Sequence, residues 1–169
     1  MLLSSATLLL ASDFTVTNDE TVLNEIKQAA QAAAKHYLPK VESQKKTFGF
    51  ETEDVLDSAT LGTPVKLYTL NDAAMQAYHS GQPVTSLIQP TGQWLVPVVI
   101  GGTNRAMIAI SQTGDGKWTW TAFGMAPLAR KWQNIQGWWP ATEKFTPQLI
   151  IWPAAQGYFF PFHKFSRPI

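Results

Sequence analysis

Between residues 23 and 37 the apolar positions Leu23, Ile26, Ala30, Ala33, Ala34 and Tyr37 recur at three-four spacing, while Asn24, Lys27, Gln28, Gln31 and Lys35 fall on the other faces. That is the pattern of a helix with one buried stripe. Upstream, "TNDE" at 17–20 fits a capping box in which Thr17 accepts from the third helical amide and Glu20 reaches back. The helix is therefore expected to start there and to stop at Pro39, whose ring cannot continue it. Its small alanines predict close packing across a sheet.

Residues 40–64 carry little periodicity, with Phe48, Phe50, Val55 and Leu61 as the strong apolar anchors, and read as a long connection. "VKLYTL" at 65–70 alternates between Pro64 and Asn71-Asp72, as a strand does. Asn71 or Asp72 is placed to cap a short helix that Gly81 would end. "WLVPVVI", "RAMIAIS" and "KWTWTAF", joined by "GGTN" and "QTGDG", predict a three-strand antiparallel meander. Pro97 has no donor for a ladder, so its strand is expected to be at an edge or bulged there. In the third strand Trp118, Trp120 and Ala122 would share one face, and Lys117, Thr119, Thr121 and Phe123 the other. A short helix over "APLARKWQNIQ" follows, with Leu128, Trp132 and Ile135 on one side and Gly137 as its stop. "PQLIIWP" and "GYFFPF" predict two closing strands.

This order predicts an α+β domain: an antiparallel sheet of about five to six strands with a central meander, and one long N-terminal helix and two short helices packed on one face, in a cystatin-like or NTF2-like arrangement. Residues 17–169 form the single domain, and 1–16 are a signal-peptide remnant or a flexible N-terminus. "MLLSSATLLLAS" has an apolar run ending in small residues, like the end of a signal peptide, although a basic n-region is missing. Read so, the protein is exported to the periplasm or beyond; read as ordinary chain, it is cytoplasmic. The run is too short to span a bilayer, so an integral membrane protein is not expected.

Composition narrows the function. Charged residues are only 15% of the 169, against about 25% in ordinary soluble domains. The 13 basic and 12 acidic side chains are interspersed and give a net charge of +1, which provides no footprint for nucleic acid. With no cysteine, thiolate chemistry and disulfides are excluded. The Gly-Lys step in "TGDGKW" has Trp118 where a phosphate loop needs a hydroxyl, so it reads as a hairpin turn. His36, His79 and His163 lack partners at metal-ligand spacing, and only His163, after an aromatic strand, is retained as a ligand contact. The four carboxylates of "ETEDVLD" at 51–57 lack a calcium-loop pattern and read as a solvated acidic loop. No catalytic residue, metal ligand or cofactor is assigned.

Seven tryptophans remain. Trp118, Trp120, Trp132 and Trp152 fit core positions, given the 150 to 250 Å² that an aromatic side chain buries. Adjacent Trp138 and Trp139 cannot both point one way, so at least one is expected near the surface. These two, with Arg105 and His163, form the candidate ligand-binding set.

"LGTPVKLYTL" and "QWLVPVVIGGTNRAMIAIS" resemble segments of small exported bacterial α+β proteins of unknown function, and more loosely the prodomains of streptopain-like proteases. The similarity spans at most residues 20–123 and implies binding or inhibition. The expectation is thus an exported, non-enzymatic module recognising a protein or cell-surface ligand. The alternatives are an NTF2-like small-ligand carrier or enzyme with a pocket in a curved sheet, and a prodomain-like protease inhibitor.

Overall fold

The structure, a computed structural model, describes residues 20–138, 145–153, 157–160 and 162–164. The expected capping box at Thr17 and the apolar N-terminal run fall largely outside these residues.

Helix α1 spans Glu20–Val41 and buries Ile26, Ala29, Ala30 and Ala33, so the alanine stripe does face the sheet. Pro39 lies inside the helix instead of ending it. The backbone bond that proline forgoes belongs to the last turn, and Val41 beyond it is 2% exposed, so burial holds the turn in place. A 3-10 helix at Glu42–Phe48 tightens the chain, and Gly49 terminates it in the left-handed region at φ 91.

Seven strands form the main sheet: β1 (Thr60–Leu61), β2 (Val65–Leu70), β3 (Ile88–Ile100), β4 (Thr103–Gln112), β5 (Trp118–Gly124), β7 (Leu149–Trp152) and β8 (Gly157–Phe159). The order is β5-β4-β3-β2-β7-β8, with β1 beside β3. Strands β6 (Phe145–Pro147) and β9 (Phe162–Lys164) pair separately as a ribbon. Helices α2 (Asp72–Gln76) and α3 (Ala126–Trp138) complete the α+β architecture of one long and two short helices. The side chain of Asn71 caps α2, accepting from the Ala74 amide at 3.0 Å.

The meander β3-β4-β5 is antiparallel throughout, as the turn residues predict. Gly101 and Gly102, both at positive φ, turn β3 into β4. Pro97 sits where β3 meets the short β1 region: Gly62 donates to its carbonyl at 2.8 Å. The missing proline donor thus falls toward a two-residue edge strand, and β4 pairing is spared. Among the described residues one strand pair is parallel, β2 with β7, with Leu67 opposite Leu149.

The helices occupy both faces of the sheet and not one. On the α1 face lie Val96, Val98, Ile108 and Ile110. On the other, Leu95, Met107 and Ala109 pack with Leu128, Ala129 and Trp132 of α3. Strand alternation explains the difference: β3 and β4 carry apolar side chains on both sides, so each side needs a cover. A second difference lies in β5, where the register slips so that Ala109 faces Ala122 but Ile110 faces Trp120. Thr121 is the extra residue, and it brings Phe123 onto the same face as Trp118 and Trp120. There Phe123 stacks on Tyr37 of α1, with ring centroids 5.0 Å apart.

Candidate functional site

Two of the four side chains singled out in the sequence can be followed. Trp138 is the last residue of α3 and 67% exposed. Gly137 does not stop the helix, because its backbone is not in the left-handed region that would turn the chain away. Trp139 lies outside the described residues, as does the side chain of His163, whose backbone pairs with Thr146 in the β6-β9 ribbon.

Arg105 occupies a bulge. Val98 pairs with Ala106 and Val99 with Asn104, leaving Arg105 as the extra residue of β4. A bulge re-aims its side chain, and here the guanidinium meets the 49–54 loop. Arg105 Nη2 donates to Asp54 Oδ1 at 2.9 Å and Nη1 to Glu51 Oε1 at 3.4 Å. Asp54 Oδ2 accepts from the Glu51 amide at 2.8 Å. Asp54 is only 6% exposed, so this carboxylate is not part of a solvated acidic loop, whereas Glu51, Glu53 and Asp57 are exposed. Val55, expected as an anchor, is 62% exposed. The loop is held by Phe50, Leu56 and the Asp54 ion pair. Both Nη groups of Arg105 are engaged, so it acts as a clip between loop and sheet. Gly49 belongs to the same junction: a Cβ there would lie 2.0 Å from Ala126 Cβ and 2.8 Å from the Arg105 carbonyl.

A concavity lies elsewhere. A groove of about 740 Å³ runs between the exposed flank of α1 and the segment from Leu56 to Gly62. Lys27, Gln31 and Lys35 line the α1 bank. Spaced four residues apart, they stand one above another along one flank, about 6 Å per step. The opposite bank carries Asp57 and Thr60. Leu38, Leu56, Leu61 and Val98 supply apolar surface, with Leu56 and Val98 inside the core. Gly62 lets β1 approach closely, since a Cβ there would sit 3.1 Å from the Pro97 ring.

Among the described residues, neither Lys27 nor Lys35 has an ion-pair or hydrogen-bond partner. The groove therefore offers an apolar floor, a bank with two uncompensated cations and an amide between them. This set can recognise an extended ligand bearing anionic groups; it has no nucleophile-base pair among the lining residues. The sequence did carry the row, at i, i+4 and i+8, but as the polar side of an amphipathic helix. Nothing local indicates that β1 will be laid beside it.

Compared with protein-family models, curated proteins and solved structures, the chain matches none. Among the described residues no helix is long and apolar enough to cross a membrane.

Proposed function

We propose that the protein is an exported, non-catalytic binding module that takes a protein ligand in the groove between α1 and β1. The observation that carries this reading is the groove itself: about 740 Å³, within the range of about 300 to 1,000 Å³ usual for ligand sites, with apolar floor and polar rim. The apolar run at residues 1–12, read as the end of a signal peptide, supports the exported placement. The long helix lying across a meander fits a cystatin-like arrangement.

The test is a titration of uniformly ¹⁵N-labelled protein with pools of short peptides of varied charge. Amide shifts clustering at Gln31, Ala34, Thr60 and Gly62 are expected. If every pool leaves these amides unmoved, the reading is wrong.

Trp138 favours a second contact surface for the same kind of module, because so exposed an indole at a helix end offers a large apolar contact. Loss of partner retention on Trp138→Ala, with the groove intact, would shift the site to α3. The NTF2-like carrier is less favoured, since α1 and α3 fill both sides of the meander where its pocket would lie. A prodomain-like inhibitor would use the same surfaces, and full activity of co-secreted proteases in the presence of the protein would dismiss it.

A further inference from the structure

We infer that the groove's ligand is an extended acidic peptide segment, read by the row Lys27, Gln31 and Lys35 as acid, amide-bonding residue, acid at alternate positions. The inference rests on the groove being the binding site, and it adds the class and register of the occupant.

Three observations support it. First, the row's spacing fits an extended chain. Side chains four apart on a helix advance about 6 Å, while alternate side chains on a strand advance about 6.6 Å. An extended peptide laid along α1 therefore keeps register with all three side chains, and its first and third same-side residues meet Lys27 and Lys35. Those two ammonium groups stand about 12 Å apart along the axis, farther than one carboxylate can bridge.

Second, the charge is uncompensated. Two other cations of this half of the molecule are engaged, Lys45 with Glu42 at 2.8 Å and Arg105 with Asp54 at 2.9 Å, while Lys46 is unpaired among the described residues but does not line the groove. Lys27 and Lys35 have no such partner among the described residues, so an incoming carboxylate need break no existing pair. Gln31 presents both donor and acceptor, which suits an amide or hydroxyl side chain at the middle position.

Third, the floor suits the intervening residues. In an extended peptide they point away from the lysine row, and the half-buried Ala59 and Leu61 on the far side offer apolar contact. Asp57 on that bank disfavours a second row of acids there and so sets which alternation carries the charge. A free dicarboxylate would satisfy the lysines but leave the apolar floor unused, and a flat anionic membrane would not enter a groove.

The experiment uses the full chain and capped nine-residue synthetic peptides, followed by calorimetry and ¹⁵N amide shifts. The probe carries Glu at its third and seventh positions, Asn at the fifth and Leu between them. One control replaces both Glu by Gln; another moves the second Glu to the sixth position, which places it on the opposite side of an extended chain. Glutarate and vesicles of anionic phospholipid complete the set. Binding of the probe is expected to shift the groove amides and to weaken with salt. Lys27→Gln with Lys35→Gln should weaken it roughly tenfold, the sum of two exposed charge pairs, while Lys131→Gln on α3 leaves it unchanged. The shifted-register and neutral peptides should bind several-fold more weakly.

Equal binding of the neutral or shifted peptide at the groove would overturn the acidic register while leaving the groove as the site. Tighter binding to the vesicles or to glutarate would overturn the peptide assignment. No groove shift with any probe would remove both the inference and the reading beneath it.

Discussion

The guanidinium of Arg105 lies between two carboxylates, one of them almost fully buried, whereas Lys27 and Lys35 stand along a groove wall with no partner among the described residues. Burial explains the contrast. A charge withdrawn from water must be matched, so both Nη groups of Arg105 are paired within the chain, although its buried Nε has no partner among the described residues, and the clip cannot release its members cheaply. A charge left in water needs no match, so the lysines can be removed or engaged at little cost to the fold. Buried and exposed charges in these two regions thus differ in pairing, and the proposed recognition role falls to the unpaired ones.

The contrast is sharpest under substitution. Gly49→Ala should have the largest effect, about 4 kcal/mol of lost stability in a denaturant titration, from a strained positive φ and overpacking against Ala126. Asp54→Ala should cost about 3 kcal/mol, because it strands a guanidinium that is 20% exposed. A loss below about 1 kcal/mol would mean that water already serves that group. Glu51→Gln tests the clip's outer half: that carboxylate is 51% exposed and its pair longer, so a change of about 0.5 kcal/mol is expected. Lys27→Gln with Lys35→Gln should leave stability within about 0.5 kcal/mol of the parent while weakening peptide binding. A large loss of stability in that double variant would erase the distinction.

The smallest effect belongs to a third kind of charge, in the β4-β5 turn. Thr113 and then Lys117 hold the Asp115 carboxyl below its ordinary pKa of 3.8. A carboxylate with a depressed folded pKa contributes above its unfolded value and loses that contribution as pH falls through the lower folded pKa. Acidification below pH 3.8 should therefore loosen this exposed turn, which amide shifts of Thr113 and Gly116 would follow. Amide shifts of Thr113 and Gly116 that stay unchanged as the pH falls well below 3.8 would contradict this expectation.

The parts of this comparison that were legible in the sequence are the local ones. The meander could be read because its alternation and its Gly-Gly and Asp-Gly turns lie within a few residues of one another. The stripe on α1 and the Leu128, Trp132, Ile135 side of α3 were equally plain. Which face of the sheet α3 covers was not, because a helical stripe says that something is buried and not against what. Asp54 was indistinguishable from its acidic neighbours, since its partner is 51 residues away. Strict alternation puts Phe123 on the wrong face because it cannot foresee the extra residue at Thr121. The groove was invisible for the same reason as the clip: its banks come from α1 and β1, and only packing brings them together.

The parallel pairing of β2 with β7 has a kinetic consequence. Leu67 cannot meet Leu149 until the chain between them, which includes the whole meander and α3, has found its place. Closing so long a loop is entropically later than closing hairpins whose turns are two to five residues long. We therefore expect β3, β4 and β5 to pair first, α1 to settle on them, and β7 with β8 to dock as a late step. Leu56, Leu61, Val98 and α1 all belong to the early unit. The groove would then exist before the sheet is finished, and a nascent chain could meet its ligand while its last strands are still searching for their edge.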